Sequence, residues 1–394
     1  MTTTDITSTR PITGSPAERF TSRDADAFEL PSGREEVWRF TPSRKLREFF
    51  AAAAGDPGAS SIQPTVPAPA EFRGIDATDP LWGIAGQPAD RIAAVAWGQA
   101  TQASAVVIPA GAALSEPVVL VITGRAGLRG YAHLVIDAGA HSSATVVLDH
   151  RGGGEHADNV EIRVGDGAHL DVVTLQEWDA DAFHLAQHDA LVGRDATFRH
   201  INVNLGGALV RIAPTVRYAG PGGSAELLGV SFAGAGQHFE SRLYVDHAVP
   251  ECSSDVLYKN ALLGESARTV WIGDVRIRPA AAGTKTYELN RNLLLSDGAR
   301  ADSVPNLEIE TGEIAGAGHA SATGRFDDLQ LFYLQSRGIP AAEAQRLVVR
   351  GFFADVVERM GVPDLQHRIM TAIEARLGFT APEVDHTELE STPA

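Results

Sequence analysis

The chain has 394 residues, 44% of them apolar and 21% charged, which suits a folded protein with a large core rather than a disordered polymer. A net charge of −17 excludes a general binder of nucleic acid or anionic membrane, since both need clustered Lys and Arg. No stretch approaches the roughly eighteen uninterrupted apolar residues of a membrane span, and the single cysteine, Cys252, rules out an internal disulfide or a thiolate metal site of the chain's own.

In chain order, MTTTDITSTRPITGSPAERF carries no apolar leader, and with one thiol this predicts a cytoplasmic protein. GREEVWRFTPSRKLREFFAAAAGDPG (33–58) reads as a helix stopped by Gly55-Asp56-Pro57-Gly58, and the Pro/Ala-rich residues 59–80 read as a linker. Residues 1–100 are thus expected to form an N-terminal helical segment and linker.

A repeat follows. Gly111-Ala112, Gly139-Ala140, Gly167-Ala168 and Asp195-Ala196 recur at a constant step that then lands on Gly223-Ser224 and breaks. After these pairs come β-rich runs such as SSATVVLDH, HLDVVTLQEW, TFRHINVNL, SAELLGVSF and RTVWIGDVRI, with no helical pattern between them. Repeated strands with small corners predict a parallel β-helix (solenoid) over 101–324; a β-sandwich is the competitor, but evenly spaced corners do not suit Greek-key connections.

Residues 325–394 predict a C-terminal helical domain. Leu329, Phe332 and Tyr333 lie at helical spacing, with Asp327 or Asp328 as cap and Gly338 as stop. A second helix begins at Pro340, with Ala344, Leu347, Val348, Phe352 and Val356 on one side. A third runs from Pro363 through Leu365, Ile369, Ile373 and Leu377, and the polar residues 381–394 are expected to fray. Helices at both termini are placed to cover the open ends of a solenoid.

Catalytic motifs are absent: no phosphate-binding GxxxxGK[ST], no HExxH and no GxSxG. HRGGGEHADN (150–159) lacks the Lys and helix of a phosphate cradle and reads as a loop between coils. Ten of the thirteen histidines fall between His133 and His247. His184 and His188 in HLAQH have the i, i+4 spacing of helical metal ligands, but a strand context puts them on one face instead. Cys252 reads as a core thiol, modulated by His247 only if a turn joins them. In GEIAGAGHASATGRF (312–326), His319 sits among small residues, either hydrogen-bonded at a tight junction or presented to a partner as a ligand or proton acceptor.

NRNLLLSDGARADSVPNLEIETGEIAGAGHASATGRFDDLQLFYLQSRGIPAAEAQRLVVRGFF (290–353) closely resembles the C-terminal core of the SufB/SufD family of iron–sulfur cluster assembly proteins. DHAVPECSSDVLYKNALL and REEVWRFTP resemble two further family segments, so the likeness spans nearly the whole chain. It implies a mainly β protein, a right-handed parallel β-helix flanked by α-helical segments. The chain is similar to the SufD branch: Ile309 stands where SufB proteins carry cysteine, and His319 stands where SufD proteins carry histidine. Ala317-Gly318 replaces the Cys-Ser that many SufD sequences have there.

The resemblance further implies a non-enzymatic scaffold subunit that pairs with a SufB-like protein, with His319 at that interface as a possible metal ligand, and binds a SufC-like ATPase through its C-terminal helices. Phe332, Tyr333, Arg337, Arg350 and Phe353 are the candidates for that docking surface, most of them expected in the core, with Arg337 and Arg350 the better exposed contacts. No cofactor is expected to stay on this chain alone; an iron or iron–sulfur cluster would be shared transiently with the SufB-like partner, and a homodimer is compatible in isolation. The alternative is a β-helix carbohydrate-active enzyme, which requires paired carboxylates; Glu161, Asp166 and Asp171 are instead scattered at turns.

Overall fold

The computed structural model describes residues 18–378 except 34, 101 and 327, so the tail at 381–394 and the Asp327 cap lie outside the described residues. The helices are α1 (Arg47–Phe50), α2 (Arg91–Gln99), α3 (Asp328–Ser336), α4 (Ala341–Glu358) and α5 (Pro363–Arg376). One sheet, A, contains β1 (Ser60–Thr65), β4 (Val118–Gly124), β6 (Ser143–Gly152), β8 (His169–Trp178), β10 (Thr197–Asn204), β12 (Ser224–Ala233), β14 (Ser253–Leu262), β16 (Lys285–Leu294) and β18 (Gly316–Arg325), in that order. Sheet B contains β2 (Glu71–Ile75), β3 (Gln102–Ile108), β5 (Arg129–Ala138), β7 (Glu155–Val164), β9 (Phe183–Val192), β11 (Leu209–Tyr218), β13 (His238–His247), β15 (Arg268–Ile277) and β17 (Arg300–Ile309).

From β3 onward successive strands alternate between the sheets, and within each sheet neighbours are parallel. The chain therefore winds as a parallel β-solenoid of about eight turns. The period of two sends alternate side chains inward, where Leu148, Val172, Leu227 and Val256 of sheet A meet Ile136, Ile162, Val192, Val216 and Val245 of sheet B. The repeat in the sequence marks one corner of each coil. Gly111, Gly167 and Gly222 there have positive φ, and His141, Asp195 and Glu251 adopt the same left-handed turn. Gly111, His141, Gly167, Asp195 and Glu251 pass an N–H to the next coil, as from Gly111 to the Ala140 carbonyl and from Gly167 to that of Arg194. Coil length then explains the break. Stacked partners are 28 residues apart at Asp166 and Arg194 but 32 apart at Ser254 and Thr286.

Two expectations for the N-terminal segment are corrected. Residues 59–80 are not a linker: β1 and β2 pair antiparallel with β4 and β3 and cover the N-terminal edges of both sheets. The helix expected over 33–58 is broken into short 3-10 turns at Glu36–Trp38 and Ser43–Leu46 plus the single turn α1, because Trp38, Leu46, Phe49 and Phe50 are each pinned against sheet B. Helix α2 carries no label in the reading above; Asp90 caps it by accepting from the Ala93 N–H, and Ile92, Val95 and Ala96 bury it on sheet B.

The terminal helices cover the faces of the solenoid, not its ends. α4 and α5 lay Val349, Phe353, Val356, Ile369 and Ile373 over the outward-facing Val173, Leu175, Val203, Leu228 and Val230 of sheet A. Arg368 clamps α5 to Asp149, at 2.7 Å, and to Glu177; Arg359 clamps the end of α4 to Glu226 and Asp255. The buried stripe of α4 is turned by one residue from the expected one, since Leu347 is exposed while Val349 and Phe353 are buried.

Inside, one flank of the coils is polar. His150, Gln176, Asn204, Ser231, Asn260, Asn292 and Thr323 stack in register through sheet A. Asn204 donates to Ser231, Asn260 to Asn292 at 2.8 Å, and Asn292 to Thr323. Such a ladder satisfies polar groups that burial would otherwise penalise.

Candidate functional site at the open end of the solenoid

The C-terminal edge differs from the N-terminal one. β17 and β18 are ten-residue terminal strands, and among the described residues nothing pairs with their outer edges. Unlike the interior strands they are half-buried or exposed throughout. Long unpaired edges with apolar side chains are what natural sheets usually shield; here Ile309 is 44% exposed at the end of β17.

His319 lies on β18 and is exposed. It ends an interior column in which His200, Leu227, Val256 and Glu288 precede it in register. The small residues around it have two roles. A Cβ at Gly318 would press the Tyr287 ring at 3.1 Å, so Gly318 allows an internal contact. A Cβ at Gly316 or Gly324 would meet nothing within 4 Å, so these positions simply leave the edge bare.

One coil beneath His319 is a group that the sequence reading did not single out. Glu288 is 1% exposed, and neither of its carboxylate oxygens has a hydrogen-bond partner. The Tyr258 hydroxyl and the Trp271 indole N–H are likewise buried and unpartnered, with ring centroids 6.4 Å apart. Gly273 makes space for them: a Cβ there would lie 2.5 Å from Glu288 Oε1 and 2.6 Å from the Trp271 ring. Burial raises the Glu288 carboxyl to about 8, with Asp274 adding to the rise. It is held neutral at pH 7, as a proton donor directly behind His319. The signal was in TYELNRN, where alternation gives Thr286, Glu288, Asn290 and Asn292 one face, but only the register shows that this face is the interior.

The other candidate residues divide. Phe332 and Tyr333 on α3 are 68% and 55% exposed, and Arg337 stacks its guanidinium 5.0 Å from the Tyr333 ring. Arg350 on α4 is exposed and pairs with Glu374 at 3.2 Å. Phe353 is a correction: fully buried between α4 and sheet A, it is core and has no surface to offer a partner. The side chain of Leu329 lies outside the described residues.

Cys252 is buried, its thiol raised by burial and directed to the carbonyls of Gly220 and Pro250, while His247 bonds Ser254. The carboxylates that a glycan-cleaving reading would need are engaged separately. Glu161 accepts from the Gly83 and Ala85 N–H groups and contacts His133, Asp166 accepts from the Arg194 N–H, and Asp171 faces His169 and Arg199.

Fold and site together define a β-solenoid with helices strapped to its faces and a histidine-bearing end that is bare among the described residues. The family model described as "SUF system FeS cluster assembly, SufBD core domain" matches residues 121–352. An iron–sulfur cluster assembly SufBD family protein of Mycobacterium tuberculosis strain H37Rv is 51% identical over 370 residues, 92% of this chain and 93% of that protein. One of Mycobacterium leprae is 50% identical over 368 residues, 92% of this chain and 94% of that protein. A second SufBD family protein of Mycobacterium leprae is 31% identical over 205 residues, 52% of this chain and 23% of that longer protein. The chain belongs to the SufBD family of iron–sulfur cluster assembly proteins. Among the described residues, no helix is long and apolar enough to cross a membrane.

Proposed function

We propose that this chain is the SufD-type scaffold of a cluster assembly complex. It pairs its C-terminal solenoid edge with that of a SufB-like protein, and a nascent cluster forms against His319. The observation that carries this reading is the bare pair of terminal strands, β17 and β18, with His319 exposed on one of them. A second parallel solenoid supplies matching strands and buries Ile309. That Mycobacterium leprae has two unlike family members supports an unlike pair. The chain acts as a non-catalytic accessory: His319 offers an imidazole that binds iron or takes a proton, and the partner supplies thiolate. The exposed aromatic patch of Phe332 and Tyr333, with Arg337 stacked on it, together with the exposed Arg350 of α4, is the docking face for a SufC-like ATPase.

The test is anaerobic co-expression of the tagged chain with SufB-like and SufC-like proteins, followed by pull-down. The Phe326 N–H bonds the Leu294 carbonyl, which sets the phase of the ladder so that the Ser321 N–H points to the free edge. Ser321→Pro therefore removes an outward donor without breaking an internal bond. The ternary complex is recovered with the wild type and loses the SufB-like subunit with Ser321→Pro. Full recovery of that subunit with the variant refutes pairing through β18.

A further inference from the structure

Near the N-terminal end of the coils, HRGGGEHADN has a role that the open end does not explain. Gly152, Gly153 and Gly154 turn β6 into β7 and set His150 and Asp158 on opposing inner faces. His184 of β9 joins them. One ligand atom from each of His150, Asp158 and His184 lies within 4.8 Å of the others.

Neighbouring groups fix which atoms face the centre. The Trp178 indole N–H can only donate, and it bonds Gln176 Oε1 at 2.6 Å, so that oxygen is correctly placed. His184 Nδ1 lies 2.7 Å from the same oxygen and must donate to it, which turns Nε2 toward Asp158 Oδ2 at 2.7 Å. His150 Nδ1 lies 3.1 Å from the Leu175 carbonyl and 3.3 Å from the Gln176 side-chain amide nitrogen, which hold that side of the ring. Asp158 Oδ1 is buried without any hydrogen-bond partner. Two imidazoles held through Nδ1 by backbone and side-chain groups, beside an unsatisfied carboxylate oxygen, are the arrangement that ligand histidines need.

We propose that His150, Asp158 and His184 bind a divalent first-row transition ion, of the iron(II), cobalt(II) or zinc(II) kind, inside the solenoid. Two nitrogens and a carboxylate select such ions over Mg²⁺ and Ca²⁺, which take oxygen ligands. Metal bonds of about 2.1 Å put tetrahedral ligand atoms about 3.4 Å apart, so the three side chains close by modest rotations. Approach is from the N-terminal end: Ile122 precedes His150 in register, Ala132 precedes Asp158, and both are partly exposed. The site is independent of His319 and of any partner chain.

The full chain, stripped with a chelator, is titrated anaerobically with Co²⁺ and followed by visible absorption, with metal content measured after desalting. The expected result is one tightly held equivalent with the ligand-field bands of a low-symmetry nitrogen–oxygen site. Asp158→Asn keeps the shape and loses affinity beyond the ~10–100-fold that outer-shell changes cause; His150→Asn serves if Asp158→Asn fails to fold, as judged by circular dichroism. His319→Ala leaves the equivalent in place. No stoichiometric binding by the wild type, unchanged binding in the folded Asp158 or His150 variant, or loss of the equivalent in His319→Ala overturns the proposal.

Discussion

Replacing Glu288 with Gln tests whether the open end stores a proton behind His319. The carboxyl is shifted from an ordinary value of 4.5 to about 8, chiefly by burial. Between these values the folded chain holds a proton that the unfolded chain releases, so stability falls as pH rises across the window. The slope is roughly 1.4 kcal/mol per pH unit, and from pH 5.5 to 7.5 the loss from this group reaches about 3 kcal/mol. Gln has the same shape and does not titrate, so the two proteins should match only below the ordinary carboxyl value of 4.5, and the advantage of Glu288→Gln should grow by about that amount between pH 5.5 and 7.5. The groups placed against Glu288 are Trp271 and Asp274 on β15 and His319 on β18. Urea unfolding followed by circular dichroism at both pH values is the assay, repeated in a His319→Ala background to isolate the carboxyl from the neighbouring imidazole. Parallel behaviour of wild type and Glu288→Gln across the two pH values would refute the buried neutral carboxyl.

His319→Ala should melt within about 0.5 kcal/mol of the wild type, as expected for an exposed position, yet abolish cluster yield on the co-purified complex; a normal cluster yield would remove the role given to this residue. Phe353→Ala should cost about 3–5 kcal/mol in urea unfolding because it empties the seam between α4 and sheet A, and a loss below 1 kcal/mol would contradict its burial. Arg350→Glu breaks only an exposed pair with Glu374, worth about 1 kcal/mol or less; it should leave the melting temperature nearly unchanged while weakening the SufC-like ATPase in a pull-down, and undiminished capture would move the docking face elsewhere.

The fold was legible because a solenoid is a local rule repeated. Each coil restates the same alternation and the same left-handed corner, so Gly111 and Gly167 announce the architecture before any long-range contact is known. The third C-terminal helix was equally plain, since Leu365, Ile369 and Ile373 form its buried stripe. Reading failed where the partner surface decides. The segment 59–80 is Pro/Ala-rich, and β1 and β2 form within it because β4 and β3 offer them edges. α4 turns by one residue because Val349 and Phe353 are the side chains that pack on sheet A, and this leaves Leu347 exposed.

By itself the sequence determined the repeating strands, the flanking helices, the family likeness and the position of His319 among small residues. Only the tertiary structure decided which strands end the stack, that helices cover its faces and leave the C-terminal edge bare, and that Glu288, Tyr258 and Trp271 gather unpartnered beneath the histidine. It likewise brought His150, Asp158 and His184 within reach of one ion. The reason is physical: periodicity along a chain is a property of neighbours in sequence, whereas burial and register between coils depend on residues some thirty positions apart, and the inward phase of a strand is fixed only when the opposite sheet closes over it.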